Sequence, residues 1–258
     1  MARLGMLPNS SSAPLPEGTP VALELLQPGS IWHISTPLDL TSHWLGPGLA
    51  TQAAPGRCLQ VLEPLLPGRQ RLRVRLLEDG YSGWLALQQL LGHARAAARP
   101  RPRLLKPDQI SAVIPEVLAF ARQAQGQSNR YLWGGTLGPD FDCSGFIQTA
   151  FASVGVWLPR DAYQQERFCQ PVAVSPGCYG LLRQGDLLFF GRPQRCTHVA
   201  LYLGQGRYLH SSGREHGRDG LGIDGLDPQL QDPVSVHYRG ELRGAGRVVR
   251  CHDGTPWA

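Results

Sequence analysis

A cysteine stands where a helix is predicted to begin. Cys143 follows Asp142, and Gly155 supplies a stop after a run of apolar residues at helical spacing. That run consists of Phe146, Ile147, Ala150, Phe151 and Val154. Unpaired backbone N–H groups and the helix dipole favour negative charge at such a position, so the pattern predicts a stabilised thiolate that acts as a nucleophile. A buried structural thiol is the alternative for any single cysteine.

Two histidines on a predicted β-hairpin offer a base for this thiol. A turn centred on Gly204 places His198 opposite His210, with Cβ atoms about 5 Å apart, so that one imidazole can orient the other. In that register the reverse face is apolar and suits a core; it carries Val199, Leu201, Leu203 and Leu209. A two-residue loop at Gln205-Gly206 would instead send the two histidines to opposite faces.

Three other kinds of site are weighed against this one. Cys143, His198 and His210 could bind zinc, but the close ligand spacing of common zinc sites is missing. Residues 220–225 match the GxGxxG pattern of dinucleotide sites, yet no strand precedes them, and Asp219 and Asp224 would repel a pyrophosphate, which favours a flexible loop. Ser144 lacks the GxSxG elbow of serine hydrolases. We therefore predict no metal and no cofactor.

The elements that must position these residues divide the chain into two differently patterned halves. Short apolar runs broken by Pro and Gly between Pro20 and Leu91 predict the strands of a small barrel. An Arg-, Ala- and Pro-rich stretch follows and predicts an extended linker. Beyond it helices precede neighbouring strands, which indicates an α+β second half. The predicted elements are a helix near 113–124, the helix after Asp142, and strands at 186–190, 198–203, 207–211 and 247–250.

Composition and charge limit the function classes. Of the 258 residues, 42% are hydrophobic and 17% charged, as expected of a globular chain, and no apolar stretch is long enough for a secretory or membrane-spanning segment. Six cysteines without CxxC spacing suit reduced thiols, so we expect a cytoplasmic protein without membrane attachment. The net charge of +5 includes an Arg cluster in the linker, but no interleaved aromatic residues support nucleic-acid binding, which we do not expect.

Several segments together resemble a known family. They are Tyr131-Leu132-Trp133-Gly134-Gly135, Asp142-Cys143-Ser144-Gly145, Leu158-Pro159-Arg160-Asp161, residues 184–190, Thr197-His198-Val199 and His210-Ser211-Ser212. In this order they resemble the NlpC-type bacterial cell-wall cysteine peptidases. The first half, with Asp79-Gly80-Tyr81-Ser82-Gly83-Trp84, resembles the bacterial SH3-like domain that precedes the catalytic domain in a peptidoglycan-recycling subgroup.

The resemblance implies a fold and a division of the chain. We expect an α+β architecture in which a papain-like catalytic domain follows a small SH3-like β-barrel. The expected divisions are a disordered N-terminus at 1–17, an SH3-like domain at 18–92, a linker at 93–108 and a papain-like cysteine peptidase domain at 109–258.

The resemblance also implies roles for individual residues. Cys143 corresponds to the nucleophile, His198 to the base, His210 to the orienting third member and Tyr131 to an oxyanion-stabilising residue. The positions implied to bind substrate are Tyr81, Trp133, Asp142, Ser144, Arg160 and Asp161. A carboxylate that selects a free peptide amino group is a further expectation, with Asp142, Asp161, Glu78 and Asp79 as the candidates.

The implied reaction is hydrolysis of the γ-D-glutamyl to L-diamino acid (diaminopimelate) bond in muropeptides whose N-terminus is free, during cell-wall recycling by a monomer. Two alternatives stay open. One is a catalytically silent peptidoglycan-binding protein. The other is a Cys/His lipid acyltransferase or amidase, for which no membrane-seeking apolar segment is visible.

Overall fold

The computed structural model describes residues 15–256, and the chain there builds two sheets around separate apolar cores. Most of the predicted disordered segment 1–17 lies outside the described residues. No helix within the described range combines the length and apolar character needed to cross a bilayer.

The first half is an antiparallel sheet of seven strands in the order β3-β2-β6-β5-β4-β1-β7. Its elements are β1 (Ile31–Ile34), β2 (Leu38–Thr41), β3 (Leu49–Ala53), β4 (Cys58–Val61), β5 (Arg71–Leu76), β6 (Ser82–Ala86), α1 (Leu87–Leu90) and β7 (Ala94–Ala96). In β5 the residues alternate between half-buried arginines and the buried Leu72, Val74 and Leu76. This period of two turns one face of the strand toward the core, as the sequence pattern predicts.

The second half is α+β, which confirms the predicted fold class. Its helices are α2 (Pro107–Ala112), α3 (Ile114–Gln125), α4 (Cys143–Ala152), α5 (Ala162–Phe168) and α6 (Pro233–Glu241). Its strands are β8 (Gln170–Val172), β9 (Leu187–Arg192), β10 (Arg195–Gly204), β11 (Arg207–Ser212), β12 (Gly220–Gly225) and β13 (Leu242–Arg247), in the sheet order β12-β11-β10-β9-β13-β8. Helices α3 to α5 share a core with one face of this sheet, and α6 packs against other buried sheet residues through Val234 and Tyr238.

Several predicted boundaries need correction. Ala94–Ala96 were expected in the linker at 93–108 but pair with β1 as β7, and helix α2 already begins at Pro107. The strand predicted at 247–250 lies earlier, as β13, because Leu242–Arg247 pair with β9 and with β8. The domain limits at 17, 92 and 108 stay a prediction.

The hairpin of β10 and β11 differs from the predicted register. Leu201 pairs with Leu209 and Tyr202 with Tyr208, so in this register His210 lies beside Ala200 and not opposite His198. The turn is the two-residue loop Gln205-Gly206, with both residues at positive φ. A bulge between Tyr202 and Gly204 inserts one residue and cancels the change of face that such a loop would otherwise cause. The two histidines therefore share a face, two residues apart along the hairpin.

The segment 220–225, which the sequence predicted as a flexible loop, is strand β12. It pairs along its whole length with β11, with Tyr208 opposite Asp224 and His210 opposite Gly222. The loop prediction was wrong because Leu221 and Ile223 recur with the period of two that is typical of a strand, and both pack against the core. This strand brings an acidic residue beside the histidines.

Buried polar contacts join the two halves. Arg160 Nε donates to Thr51 Oγ1 (2.9 Å), and Gln148 Nε2 donates to Asp79 Oδ2 (3.0 Å). Thr136 Oγ1 donates to the carbonyl oxygen of Gln52 (2.8 Å). Residues of the first half therefore form one wall beside the start of helix α4.

Candidate active site

Cys143 is the first residue of helix α4 and is buried, as the sequence predicts for the helix start. The carboxylate of Asp142 caps this helix by accepting the backbone N–H of Gly145 at 2.6 Å. A Cβ at Gly145 would overlap the carbonyl oxygen of Gly135, so the glycine lets the 131–135 loop lie directly on the first turn. The helix start is thereby fixed by its own cap and by the preceding loop.

The ionisation of Cys143 differs from the expected resting thiolate. Burial, together with the negative charge of Asp142, raises the pKa of the Cys143 thiol to about 12. Hydrogen bonds from the backbone N–H groups of Val199 and Ser144, and the charge of Arg160, oppose this rise without cancelling it. The thiol is therefore protonated at neutral pH, and a base must remove its proton during attack.

His198 and His210 lie in contact, which the sequence predicts, although by a different register. Their ring atoms His198 Nε2 and His210 Nδ1 are 2.7 Å apart, and both side chains are buried. Burial lowers the pKa of each, for His198 well below its usual value, so both rings are neutral near pH 7. The ring of Tyr238 stacks on His198 with 4.3 Å between centroids. The backbone N–H of Val199, the residue after His198, acts to lower the pKa of the Cys143 thiol by hydrogen bonding, so strand β10 passes beside the sulfur.

Asp224 is a site residue that the sequence reasoning missed. Its Oδ2 lies 2.7 Å from His210 Nε2, and its Oδ1 accepts Arg218 Nη2 at 2.6 Å. The guanidinium of Arg218 passes over Gly222, where any Cβ would collide with it. The alternation of Leu221 and Ile223 with other residues is a strand signal. A strand at 220–225 puts Asp224 on the face opposite to these two side chains, where it can meet the histidines.

Tyr131 is half-buried, begins the 131–135 loop and forms a bridge with Phe141. Burial raises the pKa of its phenol, and negative charge at Cys143 and Asp142 raises it further. The phenol is therefore protonated and able to donate a hydrogen bond.

Three of the predicted substrate-binding residues form one buried cluster beside Cys143. Arg160 holds Asp142 with two hydrogen bonds, from Nη2 to Oδ2 (2.6 Å) and from Nη1 to Oδ1 (3.1 Å). The same Nη1 donates to Ser144 Oγ at 3.0 Å. Arg160 is only 1% exposed, so its guanidinium is enclosed by this hydrogen-bond network and holds Asp142 and Ser144 in place on either side of Cys143.

The four candidate carboxylates for a substrate amine differ in whether an arginine already pairs with them. Glu78 and Asp79 both pair with Arg57 at 2.9 Å, and Asp142 pairs with Arg160. Asp161 is half-buried, and burial raises the pKa of its carboxyl against the opposing charge of Arg160. Burial raises the pKa of the Tyr81 phenol, and the negative charge of the nearby Asp161 raises it further.

Trp133 is 73% exposed and lies next to Leu132, which is 38% exposed. It is therefore a surface side chain at the edge of the loop and packs into no core. Among residues 15–256, no three His, Cys, Asp or Glu side chains group in a way that could hold a metal ion.

Two protein-family models match the chain. Residues 128–232 match the NlpC/P60 family, and residues 46–90 match the bacterial dipeptidyl-peptidase Sh3 domain. The chain contains an NlpC/P60 domain. This confirms the resemblance predicted from the sequence and places the domain in a family of cysteine peptidases. Cys143, His198, His210 and Asp224 all lie inside the matched NlpC/P60 segment.

Curated relatives match parts of this chain. A gamma-D-glutamyl-L-lysine dipeptidyl-peptidase of Bacillus cereus is 44% identical over 84 residues, which are 31% of this chain and 24% of that protein. The bifunctional muramidase/DL-endopeptidase CwlT of Bacillus subtilis is 34% identical over 137 residues, 51% of this chain and 36% of that protein. The alignments thus span well under half the length of either relative.

A solved NlpC/P60 family protein from Bacillus cereus aligns with 86% of this chain and 64% of its own, at 23% identity and a TM-score of 0.43.

Proposed function

We propose that this chain is a cysteine peptidase that hydrolyses the γ-D-glutamyl to L-diamino acid bond of peptidoglycan stem peptides. The observation that carries the proposal is the buried pair of His198 and His210, on a hairpin whose Val199 N–H acts on the buried Cys143 thiol at the α4 N-terminus. The name of the Bacillus cereus relative, a gamma-D-glutamyl-L-lysine dipeptidyl-peptidase, supports the bond and the substrate class.

The reaction begins from a neutral thiol and a neutral imidazole. His198 removes the thiol proton as the sulfur of Cys143 attacks the γ-carbonyl carbon of D-glutamate. The carbonyl oxygen becomes an oxyanion, which the Tyr131 hydroxyl and the Cys143 backbone N–H stabilise. Removal of one such donor raises the barrier by about 3–4 kcal/mol in comparable enzymes.

Collapse of the tetrahedral intermediate breaks the C–N bond. Protonated His198 gives its proton to the leaving amine, and the acyl group stays on Cys143 as a thioester. Water, deprotonated by the now neutral His198, then attacks the thioester. The products are a γ-D-glutamyl carboxylate and the diamino acid fragment, and the thiol regains its proton.

The substrate is proposed to enter with its free N-terminal amino group toward Asp161. Because arginines neutralise the other three candidate carboxylates, Asp161 is the one that can pair with an ammonium group. Tyr81 borders the same position from the first half. Wall strands whose stem peptides are attached to sugar lack this amine, so the proposal favours released peptides.

A role in recycling wall peptides inside the cell, performed by a monomer, is part of the same proposal. All six cysteines lie within the described residues, and none is paired in a disulfide. Unpaired thiols suit a reducing compartment.

The test is cleavage of L-Ala-γ-D-Glu-L-diamino acid peptides, containing lysine or diaminopimelate, followed by mass spectrometry. The wild-type protein is expected to release L-Ala-D-Glu, and Cys143→Ala is expected to lose this activity because no other side chain supplies the attacking atom. Cys178→Ala, which removes an exposed thiol, is the matched control and keeps the activity.

Two outcomes reject the assignment. Wild-type binding of the peptide without turnover indicates the silent binding protein, and hydrolysis of lipid esters in place of peptides indicates the acyltransferase or amidase. Undiminished turnover by a correctly folded Cys143→Ala variant excludes the nucleophile.

A further inference from the structure

Four buried or half-buried groups form a continuous hydrogen-bonded series behind the thiol. Arg218 Nη2 donates to Asp224 Oδ1 (2.6 Å), Asp224 Oδ2 meets His210 Nε2 (2.7 Å), and His210 Nδ1 meets His198 Nε2 (2.7 Å). The side chains of Asp224 and His210 are 3% and 0% exposed, so water does not compete for these bonds. The series uses one ring nitrogen of His198 and leaves Nδ1 free.

The location of each proton follows from the two ends of this series. A guanidinium only donates, so Arg218 occupies one oxygen of Asp224 and the other oxygen faces His210. Because that oxygen belongs to a carboxylate, it accepts, and the proton of the neutral His210 ring resides on Nε2. His210 Nδ1 then accepts, so the proton of His198 resides on Nε2. His198 Nδ1 is left with the lone pair that a base requires.

We propose that Asp224 is a positioning residue that sets the tautomer of His210 and, through it, the tautomer of His198. The inference rests on the proposed function, because the base that it prepares is the one assigned to Cys143. Burial acts to raise the pKa of Asp224, but its hydrogen bonds to His210 and Arg218 and the charge of Arg218 bring that pKa below its usual value, so the carboxylate keeps the charge that this role needs.

The variant Asp224→Asn tests whether Asp224 sets the two tautomers. In Asp224→Asn, the guanidinium of Arg218 would donate to the oxygen of the new side-chain amide. The NH₂ group of that amide would then face His210. His210 Nε2 would then accept, His210 Nδ1 would donate, and the proton of His198 would move to Nδ1. His198 would present an N–H to the thiol in place of a lone pair.

The main experiment compares peptide cleavage by wild type, Asp224→Asn and Asp227→Asn. Asp227 is exposed and lies just beyond β12, so its variant controls for the loss of one carboxylate. We expect Asp224→Asn to lower kcat at least about tenfold with little change in KM, since misplacing the tautomer of a catalytic imidazole can cost up to about 10⁴-fold. Asp227→Asn keeps the wild-type rate.

A second variant separates proton placement from simple damage. In Arg218→Met/Asp224→Asn no cation claims the amide oxygen, so the amide can rotate and accept from His210. We expect the double variant to be several-fold more active than Asp224→Asn alone. A double variant no more active than the single one, or an Asp224→Asn enzyme with wild-type kcat, overturns the inference.

The tautomers are measured directly by ¹⁵N–¹H correlation spectra of the histidine rings. Wild type is expected to carry the proton on Nε2 of both His198 and His210, and a proton on His198 Nδ1 overturns the inference without any variant. These spectra need no substrate, so they test the tautomer inference separately from the proposed function. The proposed function fails instead if the wild-type protein cleaves no stem peptide.

Discussion

Burial and helix position act in opposite directions on the Cys143 thiol. The helix N-terminus and backbone N–H groups favour the anion, whereas removal from water disfavours it by more. The same burial lowers the pKa of His198, so neither partner of the pair is charged at rest. In the proposed reaction, proton transfer to His198 during attack therefore replaces the resting thiolate that the sequence predicts. Charge appears only as the oxyanion and imidazolium form.

Stability should fall in mild acid because the site histidines are buried in their neutral form. Burial lowers the pKa of both His198 and His210, so below about pH 6.5 the unfolded chain binds protons that the folded chain excludes. The free energy of unfolding then decreases as pH falls, by up to about 1.4 kcal/mol per pH unit for each such group. Urea unfolding at pH 7 and pH 5 measures the difference.

The double variant His198→Gln/His210→Gln serves as the control, since it removes both titrating groups. Its unfolding free energy should depend less on pH across the same window. Equal stability of the wild-type protein at pH 7 and pH 5 contradicts the expectation. The remaining slope includes His252, whose pKa burial also lowers.

The element scale shows where sequence reasoning succeeds and fails. The start of helix α4 after Asp142 was predicted correctly because apolar residues at helical spacing and a glycine stop are local signals. The hairpin's apolar face was also predicted, and Val199, Leu201 and Leu209 lie in the core. Its register was not, because the bulge before Gly204 depends on strand pairing and leaves no local signature. Asp224 was missed for the same reason, since its role exists only once β12 pairs with β11.

The close approach at the start of α4 predicts a position-specific effect of adding one methyl group. Gly145→Ala should destabilise the protein and reduce peptide cleavage, because the new Cβ would meet the Gly135 carbonyl oxygen and push the loop away from Cys143. Thermal unfolding and kcat measure both effects.

Gly240→Ala is the matched control, since Gly240 lies in helix α6 with nothing within 4 Å of its Cβ position. There alanine should stabilise the helix by about 0.5–1 kcal/mol. If both substitutions change stability and kcat equally little, the 131–135 loop moves aside without an energetic penalty, and the expectation is wrong.

At the scale of the whole molecule, the proposed function assigns substrate selection to both halves, because Tyr81 of the first half is near the position proposed for the substrate amine. We expect N-acetylation of the stem peptide to lower kcat/KM by at least about tenfold, the value of a lost charge-assisted hydrogen bond. Asp161→Asn should raise KM for the free-amine peptide and so reduce the ratio of kcat/KM for the free-amine peptide to kcat/KM for the acetylated peptide. Steady-state kinetics on the two peptides measure this ratio.

Glu63→Gln removes one exposed carboxylate and controls for the change in net charge. It should leave the ratio between the two peptides unchanged. Equal kcat/KM values of the wild-type protein for both peptides exclude the amine recognition proposed at Asp161.

Arg160 restricts how this two-part architecture can be recombined. Its guanidinium belongs to the second half by sequence, yet Thr51 of the first half accepts its Nε proton at 2.9 Å. A first half transplanted from another protein must therefore bring an acceptor at the position of Thr51. Without one, the Nε donor of Arg160, a side chain that is 1% exposed, loses its hydrogen bond, at a cost of about 1–3 kcal/mol. The two halves are thus constrained to change together, although each has its own core.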